Sequence, residues 1–221
     1  MSACVICLGS LYDETLIHRI TATTTSAHPL YLLNYIVSSN PKVLNRAIVA
    51  KSRLFQIEQV DLRFSNGVET HYERMLSSAQ GAVLIVPVFN NHTLLMIKEY
   101  CVGVERYELT LPKGKIDNGE SILDAANREM QEEIGYAAGK LTHLKSMSLA
   151  PGYSTHFTHV VLAEELYPCK SEDGDEPEPL EVVSRELEDI NSIVADDECT
   201  EGRTIAALFM TREHLTKQKT T

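Results

Sequence analysis

Seven residues between positions 114 and 136 stand at intervals suited to acid-rich metal chemistry: Gly114, Glu120, Arg128, Glu129, Glu132, Glu133 and Gly135. On a helix, Glu129, Glu132 and Glu133 at i, i+3 and i+4 would share one side, with Cβ atoms roughly 5–6 Å apart. At about 5 Å and an effective dielectric near 20, each like-charged pair costs roughly 3 kcal/mol; on an open helix surface the cost is only about a few tenths. Burial of such a cluster therefore calls for a cation. Carboxylate oxygens are hard ligands, which favours Mg²⁺ or Mn²⁺ over zinc. Such an ion polarises a phosphoryl oxygen, lowers the pKa of bound water and neutralises charge on a leaving phosphate. Three glutamates in five residues are by themselves an ordinary solvated face. The full set of seven identities arises by chance at about 1 in 10⁸ starting positions, at ordinary residue frequencies.

The elements that must position these residues follow from periodicity. Leu123, Ala126, Met130 and Ile134 recur at three and four, so Ser121 to Ile134 is expected to be a helix with Gly135 as its C-terminal cap. Tyr107 to Leu111 alternates as a strand does, and Pro112 to Gly119, with three charged side chains and two glycines, reads as a loop. The order is strand, loop, helix.

This pattern, Gly114-x5-Glu120-x7-Arg128-Glu129-Met130-x-Glu132-Glu133-x-Gly135-Tyr136, resembles the Nudix box. Nudix enzymes hydrolyse nucleoside diphosphates linked to another moiety. The resemblance implies that loop and helix wrap a pyrophosphate. Glu129 and Glu133 would be the principal ligands of Mg (or Mn), Glu132 and Glu120 would support them, and Gly114 would head the metal loop. Arg128 would orient the glutamates by bidentate pairing, which a planar guanidinium does better than lysine. Tyr136 departs from the usual aliphatic residue at the final position.

The likeness extends over about residues 45 to 216 through Ser52-Arg53-Leu54-Phe55, Tyr72-Glu73-Arg74-Met75, Lys98-Glu99-Tyr100-x-Val102-Gly103, Tyr107-Glu108-Leu109 and Asp175-Glu176-Pro177-Glu178-Pro179-Leu180. Within the superfamily it is most similar to the branch acting on ADP compounds, the NudE type. What that implies is cleavage of ADP-ribose, NADH or diadenosine polyphosphates to AMP and a second phosphorylated product. The acidic loop Glu172 to Glu181 would supply the general base, Glu178 first and Glu176 second. Glu73 would meet adenine or ribose across a homodimer, Lys98 a phosphate or the terminal ribose, and Glu108 and Tyr153 would line the pocket. Pro151, 15 residues after Tyr136, accompanies ADP-ribose-type substrates in the family. Two departures argue against strict ADP-ribose selectivity: Glu99 stands where many ADP-ribose enzymes carry arginine, and the approach from Tyr107 to Pro112 is two residues longer than usual. Alternatives are a Nudix hydrolase for other nucleoside diphosphate derivatives and a non-catalytic ADP-ribose-binding module.

The rest of the chain sets the frame. At 221 residues and 43% hydrophobic content, one catalytic domain with a small appendage is expected. A net charge of −11 argues against sequence-independent binding to nucleic acid or anionic membrane. Five cysteines at 4, 7, 101, 169 and 199 have no framework spacing, which suits a reducing, cytoplasmic setting. No stretch approaches 18 apolar residues. Residues 1–40 read as a flexible extension and 45–80 as an N-terminal antiparallel β-unit that builds a homodimer. This unit alternates from Ala50 to Arg74 around an Asn66-Gly67 turn. Residues 81–216 read as the hydrolase domain, with central strands at Ala82–Val88 and Thr93–Ile97, further strands at Leu141–Leu149 and Phe157–Ala163, and a terminal helix at Arg203–Leu215. The fold class is α+β, an α/β/α sandwich with a mixed sheet. His156 and His159 flank a strand and are read as incidental.

Overall fold

A computed structural model describes residues 39–169 and 177–219. The expected extension, apart from residues 39 and 40, and Glu176 lie outside the described residues.

The chain first forms an antiparallel sheet of three strands, β1 (Lys42–Lys51), β2 (Gln56–Arg63) and β3 (Glu69–Leu76), in the order β1-β2-β3. At the β2–β3 turn Gly67 has φ 85°, a left-handed conformation that glycine adopts without penalty. The sheet begins at Lys42, earlier than the alternation from Ala50 implies, because β1 pairs along its length with β2 although none of its residues is buried. Burial patterning cannot reveal such a strand. The unit is tied to the rest by backbone bonds: Met75 N–H to Tyr153 O (2.7 Å) and Thr155 N–H to Met75 O (3.0 Å). Ser77 N–H adds a bond to Thr155 Oγ1 (2.9 Å).

The second sheet has seven strands: β4 (Ala82–Phe89), β5 (Thr93–Cys101), β6 (Arg106–Thr110), β7 (Lys113–Lys115), β8 (Tyr136–Ser148), β9 (Phe157–Pro168) and β10 (Glu181–Glu186). Its main path is β10-β5-β4-β9-β8, with β6 added to β5 and β7 to β4. The β4–β9 pair is parallel and the others antiparallel, so the sheet is mixed.

Alternation along β4 divides two cores. Leu84, Val86 and Val88 join Leu162, Ile190, Ala207 and Leu208 on one face. Val83 and Ile85 join Ala125, Ala126, Met130 and Ile134 on the other. A strand buried on both faces is why this stretch is continuously apolar. The first core is closed by α2 (Ile190–Ile193) and α3 (Gly202–Lys219), the second by α1 (Ile122–Ile134). The result is the expected α/β/α sandwich. No described helix is long and apolar enough to cross a membrane.

α1 begins where Ser121 Oγ accepts the Asp124 N–H (3.1 Å) and ends at Gly135, φ 71°, whose N–H reaches Gln131 O. Its inward stripe differs from expectation at one position. Leu123 is exposed, while Ile122 and Ala125 pack inward beside Ala126 and Met130. Three further features depart from the sequence reading. The loop before the helix contains β7, held to β4 by backbone pairing, β8 starts directly at Tyr136, and β10 follows the acidic segment. β10 has three charged residues in six and joins β5 at the edge through backbone bonds, a pairing that side-chain pattern conceals.

Candidate active site

β7 and α1 bring the box residues together. Gly114 pairs with Val83 of β4, and a Cβ at 114 would collide with the Glu129 carboxylate. Only glycine leaves that space, so loop and helix close against each other through a carboxylate. Beside it, Lys113 N–H donates to Glu133 Oε2 (3.1 Å).

Arg128 organises the other acids. Its Nε and Nη2 donate to the two oxygens of Glu120 (2.9 and 3.0 Å), and Nη1 to Glu132 Oε2 (3.0 Å). Nη1 also lies 2.9 Å from Glu129 Oε1, and Nη2 reaches Lys115 O (3.0 Å). One side chain thus fastens the loop to the helix. The hydrogen bonds to Glu120 raise the Arg128 pKa above its ordinary value, against desolvation. Glu120 is held below the carboxylate range chiefly by Arg128, with burial opposing and Asp117 N–H assisting.

The donor set is all oxygen, half-buried, and cradled on Gly114, which fits a hard divalent ion. Among the described residues no three acid, imidazole or thiolate ligands already form a cage. Arg128 draws Glu120, Glu129 and Glu132 to itself, so a bound cation would have to share those oxygens with the guanidinium.

The remaining expected residues lie at different distances from this centre. Glu178 is exposed, and its Oε1 accepts the Tyr107 hydroxyl at 2.5 Å. That contact raises the Tyr107 pKa. Glu73, on β3 opposite Gln59, borders a cleft of about 580 Å³ between the N-terminal sheet and the 148–157 segment, with Arg46, Tyr72, Pro151 and Phe157 among its walls. Tyr153 is exposed in the same loop, whose backbone anchors β3. Lys98 forms an ion pair with Glu198 (2.7 Å), the contact that raises its pKa.

Glu108 corrects an expectation. Rather than lining an open pocket it is 3% exposed, and its oxygens are taken by Arg106 Nε (2.6 Å) and by Thr200 N–H and Oγ1 (both 3.0 Å). It fastens β6 to the segment before α3. His159 bonds Ser146 Oγ (2.7 Å) and Gln80 O (3.1 Å), and His156 bonds Thr158 Oγ1 (3.1 Å).

Two residues were not singled out for roles from sequence. Tyr107 holds Glu178, and Lys113, besides its backbone bond to Glu133, ion-pairs through Nζ with Glu99. The signal for Lys113 was its place beside the box glycine; its partner lies 14 positions away on β5.

Comparison with known proteins matches two family models, the NudE-type Nudix hydrolase N-terminal domain at residues 41–74 and the NUDIX domain at residues 79–212. The chain is 49% identical over 178 residues to the ADP compounds hydrolase NudE of Escherichia coli (strain K12), covering 80% of this chain and 95% of that one. It is 32% identical over 186 residues to the ADP-ribose pyrophosphatase of Bacillus subtilis (strain 168), covering 80% and 100%. A solved structure, the crystal structure of ADP compounds hydrolase, superposes with a TM-score of 0.77 at 48% identity, covering 81% of this chain and 96% of that one. With the glycine-cradled glutamates, the arginine that gathers them and the matched models in agreement, the chain belongs to the Nudix hydrolase family, as a pyrophosphatase with a NudE-type N-terminal domain.

Proposed function

We propose that this enzyme hydrolyses ADP-containing compounds, ADP-ribose, NADH and diadenosine polyphosphates among them, to AMP and a second phosphorylated product. The observation that carries the reading is the Arg128-organised carboxylate set closed on Gly114. Similarity over four-fifths of the chain to an ADP compounds hydrolase supports the substrate class.

In this reading Glu129 and Glu133, supported by Glu120 and Glu132 and by the loop at Gly114, would hold Mg²⁺ or Mn²⁺. When bound, the ion polarises the phosphoryl oxygen and stabilises the leaving phosphate. The chain's own residues do the rest. Arg128 sets the carboxylate rotamers. Glu178, or Glu176, takes a proton from the attacking water; the water oxygen bonds to phosphorus as the bridging P–O bond breaks, and the bridging oxygen leaves on the second phosphate. Glu73, at the cleft, meets adenine or ribose across the dimer, Tyr153 lines the pocket, and Lys98 meets a phosphate or the terminal ribose. Positioning and electrostatics account for most of such a rate enhancement.

The reading includes a homodimer built through the N-terminal sheet, supported by β1, an edge strand exposed along ten residues with Val43, Leu44, Ile48 and Val49 uncovered. Light scattering coupled to size exclusion should give twice the 24.7 kDa chain mass; a monomer at all concentrations contradicts it. The substrate class is tested by kcat/KM over ADP-ribose, NADH and diadenosine triphosphate with product identification. AMP is expected from each, whereas turnover confined to nucleoside triphosphates would contradict the reading.

A further inference from the structure

Lys113 presents two cationic or donor groups to the site in different directions. Its backbone N–H is given to Glu133 Oε2, and the next residue is the glycine over which Glu129 lies. Its side chain, 18% exposed, turns to Glu99 of β5. A lysine stem separates backbone N from Nζ by roughly 6 Å with ordinary bond lengths and four flexible carbons. From the same backbone position the ammonium can therefore reach the carboxylate its own N–H touches. Seated there, it would compete with a divalent ion for the same oxygens.

The sheet explains why Glu99 is available to prevent this. Glu99 and Glu108 are register partners on β5 and β6, and facing like charges oppose pairing unless each is neutralised. Arg106 and Thr200 take up Glu108, and Lys113 takes up Glu99. The two ion pairs divide the cations between the two acids.

We propose that Glu99 is a positioning residue that turns the Lys113 ammonium away from Glu133, the carboxylate its backbone N–H touches, so that the ammonium does not compete there with a divalent cation. This rests on the metal-binding reading above. The test is Mn²⁺ affinity, from the electron paramagnetic resonance signal of free Mn²⁺ titrated with the full chain, for the parent, Glu99→Gln, Glu99→Asp, Lys113→Met and the double variant Glu99→Gln/Lys113→Met. Glu99→Gln should bind about tenfold more weakly, the lower end of what outer-shell changes cost metal sites. Glu99→Asp and the double variant should return towards parental affinity, and Lys113→Met should bind at least as tightly as the parent. Parental affinity in Glu99→Gln overturns the proposal, as does a double variant as weak as Glu99→Gln. If Glu99→Gln fails to fold, weakened binding in Lys113→Met overturns it instead. A parent that binds no Mn²⁺ overturns the metal reading and this inference together.

Discussion

A guanidinium carries five N–H donors in a fixed plane, and Arg128 directs its donors to Glu120, Glu132 and the Lys115 carbonyl. A lysine ammonium could not span two helix-borne acids and a loop acid in that plane. The residue types at this centre were legible in the sequence because their spacing is local: acids at i, i+3 and i+4 and a glycine at the mouth of the loop. What sequence could not supply was the long-range pairing. Lys113 with Glu99, and Tyr107 with Glu178 across 71 positions, depend on how β5, β6 and the segment before β10 are laid side by side. Glu178, exposed and bonded to the Tyr107 hydroxyl, is the base in the proposed mechanism. Glu178→Gln should lower kcat by about 10²–10⁴ at saturating metal, the usual worth of general-base catalysis. Unchanged kcat would remove it from that role.

The elements of the catalytic half announce themselves through caps and burial. Ser121 brackets α1 through its hydroxyl and Gly135 through its left-handed backbone, and β4 reads as a central strand since both its faces are covered. Elements held by backbone pairing at an exposed edge, β1 and β10, carry no such mark. β6, which pairs with β5, is fastened through buried Glu108. Burial alone would lift the Glu108 pKa, but the Thr200 N–H and hydroxyl and Arg106 outweigh it and hold it below the ordinary glutamate range. Glu201 is likewise desolvated, and Arg203 and Thr204 hold it down. A carboxyl with a lower pKa folded than unfolded adds stability that is complete above the unfolded value, about 4.3 for Glu, and is lost as pH falls through the folded value. Urea midpoints should therefore decline as pH falls below about 4.3, and Glu108→Gln should flatten that decline. Parallel pH curves for parent and variant would contradict the assignment.

At the scale of the molecule, β7 and α1 carry the box glycine and glutamates on the seven-stranded sheet, and a second sheet stands beside it across the cleft bordered by Glu73 and Pro151. The sandwich was legible because apolar runs and helix periods define layers without long-range information. The docking of the N-terminal sheet was not, since it rests chiefly on backbone bonds from Met75 to Tyr153 and Thr155, with one bond to the Thr155 hydroxyl 78 positions from its donor. In the proposed function the box sets the reaction type and the cleft the choice of ligand. The most direct test of the first assignment is Glu133→Gln, assayed beside the parent for Mg²⁺-dependent release of AMP from ADP-ribose and for binding of the nucleotide. Nucleotide binding should be retained and turnover lost by at least about 10²-fold, as when a ligand to a catalytic ion is removed. Full turnover in Glu133→Gln would contradict it.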